Sequence, residues 1–146
     1  AEAVRPALLA AASDSDVRVR SAATWALGQL VSAAPQHAEA VPPALRDAQN
    51  DAHEDVRRAA TWALGQLVSA APGHAEAVRP ALFDAQRDND WRVRCVAIWA
   101  LGQLAQATPE QAEAVRPALP DAQNDAHEDV RRAASEAFSQ PVYGRA

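Results

Sequence analysis

The 146-residue sequence has no Lys, no Met and one Cys, and its aromatics are limited to four Trp, two Phe and one Tyr. Each shortage excludes something. One Cys cannot build an internal disulfide framework or a multi-Cys metal site. Without Lys, all 14 basic residues are Arg, set against 19 Asp and Glu for a net charge of −5. That balance argues against nucleic acid or an anionic membrane surface as the default partner. No apolar run approaches the roughly 18 residues of a membrane span, and no charged-then-apolar leader opens the chain. A soluble, cytoplasmic protein is therefore expected. The missing initial Met suggests a segment processed or excised from something longer. What is abundant is Ala, with 38 residues. Ala is the strongest helix former and lets helices approach closely, so the composition favours an all-α chain over a β-sandwich.

The chain repeats itself. AEAV occurs at Ala1–Val4, Ala38–Val41, Ala75–Val78 and Ala112–Val115, a step of 37 each time. Trp25, Trp62 and Trp99 keep that step, as do Pro6, Pro43, Pro80 and Pro117. TWALGQLVSAAP recurs unchanged at 24–35 and 61–72, and DAQNDAHEDVRRAA at 47–60 and 121–134. Such identity means recent duplication or deliberate consensus construction. Units of about 1–34, 35–71, 72–108 and 109–146 form one domain.

Each unit reads as two helices. In the second unit, helix A is expected over about 35–48, with Ala38, Val41, Leu45 and Ala48 on one face and a kink at Pro43. Thr108, Pro109 and Gln111 read as a cap, a first-turn Pro and the Gln of a capping box. A short turn over 50–53 leads to helix B at about 54–70. At roughly 100° per residue, Val56, Ala59, Ala60, Ala63, Leu64, Leu67 and Val68 fall on one apolar stripe. Arg58, Trp62, Gly65, Gln66 and Ser69 fall on the other side. Two singly striped helices cannot bury both stripes alone, so neighbouring units must stack into an α-solenoid of four helix-turn-helix repeats.

A helix A with an internal Pro, then Asp, then Val-Arg opening a helix B that contains Ala-Leu-Gly, resembles the HEAT repeat. It is most similar to the bacterial HEAT-like repeats of the phycobilisome-lyase type. The most specific element is an Asp six residues ahead of an Arg: Asp14 and Arg20, Asp51 and Arg57, Asp88 and Arg94, Asp125 and Arg131. The resemblance implies that these residues form a structural ladder between adjacent units. A turn carboxylate and a planar multi-donor guanidinium suit that role chemically. The resemblance also implies that helix B lines a concave surface.

Trp25, Trp62 and Trp99 project about 150° from the centre of the core stripe. Two roles are open for them: an aromatic rail in the groove, or packing between units. Exposed Trp rows mark interaction sites. The rail would have a polar rim drawn from Arg58, Cys95, Ser69 and Gln106, with Arg132, Ser21 and Ser32 at equivalent positions. The expected function is a non-catalytic scaffold that binds a protein or peptide in this groove. The alternatives are a structural or engineered repeat without a natural ligand, a nucleic-acid binder, and a lyase accessory. Phosphate binding needs several cationic contacts, and few Arg recur on the inner face.

No enzyme, cofactor or metal is expected. Arg92 and Arg94 could lower the Cys95 pKa, but no His shares its helix face to act as a base. The His53–Glu54 and His127–Glu128 pairs resemble the iron-binding pairs of HEAT-like hydroxylases in type only, because they precede Val-Arg instead of following it. The turn His are expected to be solvated. The last unit reads SEAFSQP from Ser135 to Pro141 where its siblings read TWALGQL, so the Trp row stops at three. The first helix is more apolar than its siblings through Leu8–Ala12. That face predicts homodimerisation through the N-terminal unit.

Overall fold

The computed structural model describes residues 4–139, and among them every regular element is helical. The second helix of each unit is the constant part. These are α2 (Val17–Ala33), α4 (Glu54–Ala70), α6 (Trp91–Ala107) and α9 (Glu128–Ala137). Their first residues are spaced by 37, matching the sequence period. Before them stand α1 (Val4–Ala11), α3 (Pro42–Gln49), α5 (Ala75–Ala85), and the pair α7 (Pro109–Val115) and α8 (Ala118–Gln123).

The expected stripe of the second helix is the core. Val56, Ala59, Ala60, Ala63, Leu67 and Val68 are fully buried and Leu64 nearly so. Of these, Ala63, Leu64, Leu67 and Val68 join Leu27, Val31, Leu45, Leu82, Leu101 and Leu104 in a core that runs from unit to unit. Each second helix packs on the next, and two small clusters within single units, Ala48 with Val56 and Ala60 and Ala85 with Val93 and Ala97, accompany the shared core. This is an all-α solenoid, held by nearest-neighbour interfaces.

Helix A departs from expectation. In the second unit it is not one helix over 35–48. A 3₁₀ turn at Pro35–His37 is followed by a break, and α3 begins at Pro42. Adjacent prolines explain this. Pro42 and Pro43 have no N–H to donate, so they fit in a first turn, where those groups lack helical partners anyway. Pro43 therefore starts a helix and does not kink one. Single prolines behave differently by context: Pro80 is tolerated inside α5, whereas Pro117 separates α7 from α8.

The caps also correct the sequence reading. Asp16 and Asp90 accept from Arg18 and Arg92 N–H through their side chains, as N-caps do. His53 and His127 occupy the same position and do the same work with Nδ1, accepting from Asp55 N–H at 3.1 Å and Asp129 N–H at 3.0 Å. They are not simply solvated turn residues. Thr108 Oγ1 accepts from Gln111 N–H at 3.2 Å. The Gln111 side chain does not close a capping box. It donates to Glu76 at 2.9 Å and accepts from Arg79 at 3.0 Å, tying the third unit to the fourth.

Candidate functional site

The Asp and Arg residues set six apart do not pair within a unit. Each Arg reaches forward. Arg20 Nε and Nη2 donate to Asp51 at 2.8 and 3.1 Å. Arg57 makes the same fork on Asp88, and Arg94 on Asp125. The remaining Nη1 donates back to the carbonyl of the unit's own Asp: Asp14, Asp51, Asp88 and, for Arg131, Asp125. Each carboxylate also accepts the backbone N–H two residues on, which shapes the turn. Burial by itself would raise the pKa of Asp51 and Asp125. The guanidinium and the His53 or His127 N–H outweigh it and hold both below the ordinary carboxylate range.

A second ladder runs along the first helices. Gln49 Nε2 donates to the Ala81 carbonyl at 3.2 Å and Gln86 to Ala118 at 2.9 Å. The sequence reading missed it, although the Asp-Ala-Gln string at 47–49, 84–86 and 121–123 was a visible signal.

Trp25, Trp62 and Trp99 lie between the two roles open to them, because each is half-buried. The indoles of Trp62 and Trp99 press their edges onto glycines of the preceding helix. A Cβ built on Gly28 would stand 2.6 Å from the Trp62 ring, and one on Gly65 2.4 Å from Trp99. No other residue leaves room for this contact. The sequence reading put Gly65 opposite the apolar stripe with Trp62; it is buried beneath the next unit's ring. Trp25 and Trp62 are neighbours, with ring centroids 4.5 Å apart and planes at 51°. A tilted arrangement of this kind is favourable for aromatic quadrupoles.

The rim residues are dispersed along this face. Ser69 and Gln106 are exposed. Ser69 Oγ donates across the junction to Gln103 at 3.4 Å. Arg58 is turned toward Asp55, 3.8 Å away, and its Nε is buried without a partner. Arg132 is held by Glu128 and Asp129, and Arg92 by Asp90 and Glu54. These cations are thus largely neutralised within the protein, which leaves few for phosphate.

Cys95 is half-buried. The expectation that neighbouring Arg could lower its pKa is corrected. Burial pushes the thiol up, Asp129 and Asp125 push further, and only Arg94 opposes them. Arg94 is committed to Asp125. Among the described residues, His53, Glu54 and Asp55 bring ligand atoms within 4.8 Å of one another. His53 Nδ1, however, is engaged as the cap of α4. The other notable His is His127, whose ring stacks flat on Trp91 with centroids 4.0 Å apart. Trp91 is thereby turned to a unit junction and stands apart from the other three indoles.

The match of a family model to residues 1–65 and 42–139, described as HEAT repeats, decides the relationship. This chain belongs to the HEAT-repeat family. Among solved structures it is similar to an engineered protein, with a TM-score of 0.71 at 20% identity over 90% of this chain and 60% of that one. It is similar to a designed armadillo repeat protein, at 0.69, 21%, 92% and 63% respectively. It also resembles the complex of CpcE and CpcF of phycocyanin lyase from Nostoc sp. PCC7120, at 0.56, 23%, 94% and 66%. The chain spans less than two thirds of each of these, and at such identities they establish the HEAT-like fold alone. No curated protein matches. No helix among the described residues is long and apolar enough to cross a membrane.

Proposed function

We propose that this HEAT-repeat array is a scaffold that holds an extended protein or peptide segment along the face made by α2, α4 and α6. The observation that carries the reading is the row of Trp25, Trp62 and Trp99. Each ring is fixed against its neighbour yet keeps part of its surface uncovered. An anchor that is already ordered loses little side-chain entropy when a ligand arrives, which is what a binding hot spot needs. Ser69, Gln103 and Gln106 supply neutral hydrogen-bonding groups beside the row, and Arg58 contributes a buried unpaired Nε. The HEAT resemblance, by which this face would be concave, adds to the case. The self-paired inner Arg residues and the net charge of −5 favour a polypeptide over a nucleic acid.

The test is selection of extended peptides from a random library on the intact chain, followed by Ser69→Arg and Gln106→Arg. Both positions are exposed and their replacement spares the core. Selected peptides should change indole emission and lose roughly tenfold in affinity to the variants. Peptides that bind both variants unchanged and leave emission unaltered would overturn the reading. A repeat scaffold with an empty groove would then be the better description, and the near-identity of the units favours it.

A further inference from the structure

The two ladders each end on an unused half. Arg131 is the equivalent of Arg20, Arg57 and Arg94, and its Nη1 already donates to the Asp125 carbonyl at 2.7 Å, as in the interior units. Its Nε and Nη2, which elsewhere grip the next unit's Asp, have no partner among the described residues. Gln123 is the equivalent of Gln49 and Gln86, and its amide likewise lacks the forward carbonyl that they reach. At the other end Asp14 makes its turn with Asp16 N–H at 2.8 Å, but its carboxylate receives no guanidinium among the described residues. Ala7 stands where Ala81 and Ala118 accept from Gln. The unused donors and acceptors therefore lie at opposite ends, in the same arrangement.

The apolar surface follows the same logic. Val19 is 38% exposed, whereas its equivalents Val56, Val93 and Val130 are 0%, 1% and 1% exposed. Leu8, Ala22, Ala23 and Ala26 border it in a shallow depression of ≈ 620 Å³. On the opposite end Ser135 Oγ donates to the Arg131 carbonyl. Thr24 and Thr61 do the same with Arg20 and Arg57, and both are buried under the next unit. The C-terminal face thus keeps the chemistry of an interior stacking face.

We propose that a second copy of this chain docks head to tail, its N-terminal face on the C-terminal face of the first. Arg131 would grip Asp14 of the next copy and Gln123 would donate to Ala7. Such an interface is heterologous, so each added copy presents a new free face and growth does not stop at two. It differs from a dimer formed through two N-terminal units, which would leave Arg131 and Gln123 of both copies unused. The junction is weaker than an interior one, because Ser139 replaces the glycine that receives the indole in Gly28 and Gly65.

The test is sedimentation velocity of the intact chain from low micromolar to millimolar concentration, with Val19→Glu and Arg131→Glu. Both side chains are exposed, and unchanged melting curves establish that the variants fold. The parent should give a weight-average mass that passes the dimer and keeps rising. Each variant alone should associate roughly tenfold more weakly. Mixed together they should recover a species that stops at two, since one supplies the intact C-terminal face and the other the intact N-terminal face. A monomer at every concentration would overturn the proposal. So would a dimer that survives Arg131→Glu, which would assign the N-terminal face to a symmetric pair, or a mixture that stays monomeric.

Discussion

The junctions α2/α4 and α4/α6 differ from the junction α6/α9 in whether an indole fills a repeated slot. In the first two, a Trp ring covers a Gly of the preceding helix. In the last, Glu136 takes the Trp position, and Gly102 meets only Ala137, with a hypothetical Cβ at an ordinary 3.4 Å. A notch of ≈ 240 Å³ lined by Trp99, Gly102, Gln106 and Glu136 marks the place. The difference shows what the Trp–Gly pair adds: close helix approach, obtained by removing a side chain from one partner and laying a flat one from the other.

The largest way to break the comparison is Trp62→Ala. It removes both the cover of Gly28 and the partner of Trp25, and should cost about 3 kcal/mol in chemical denaturation. Glu136→Ala, at the equivalent slot, should change stability by less than about 0.5 kcal/mol. Next comes the ladder. Arg57 and Asp88 side chains are 17% and 13% exposed, so Arg57→Ala strands a mostly buried carboxylate and should cost about 2–3 kcal/mol. Arg131→Ala, at the free end, should cost far less.

A sharper test uses a pair of identical substitutions. Gly28→Ala forces a methyl into the Trp62 ring and should destabilise by about 1–2 kcal/mol, even after the gain in helix propensity. Gly102→Ala finds room and should stabilise by up to about 1 kcal/mol. Equal effects at the two sites in thermal melts would mean the indoles yield more easily than their geometry indicates.

The smallest effect is the response to acid. Asp51, Asp125 and Glu76 have pKa values lowered in the folded state; for Glu76 the Arg79 guanidinium is the chief cause. A lowered folded value means stability that is present above the unfolded pKa and lost as pH falls through the folded one. The unfolding free energy should therefore be level near neutrality with respect to these groups and decline below about pH 4.

The solenoid was legible because the signals repeated. One helix with an apolar stripe is ambiguous, but the same stripe at a fixed interval has to stack. The second helices were placed well by Val56–Val68 and by the Glu54 and Asp55 start. The first helices were not, since periodicity carries no information on which residue of a Pro-rich stretch opens the helix; Pro42 beside Pro43 settles that sterically. The direction of each Arg was likewise hidden. Asp51 and Arg57 are close in sequence, yet Arg57 bonds to Asp88 because its helix carries it toward the following turn. That Gly65 lies covered was not legible, since an angular projection assigns faces of one helix and says nothing about how near the next helix comes.

The Trp25–Trp62 contact has an optical consequence. Two indoles with centroids 4.5 Å apart and planes at 51° are coupled chromophores in a chiral arrangement, so their ultraviolet transitions mix and split. The resulting circular dichroism couplet would vanish when that single junction opens, while the helical signal at shorter wavelength still follows the whole array. The protein thus contains its own spectroscopic gauge of whether one interface between units comes apart ahead of the rest.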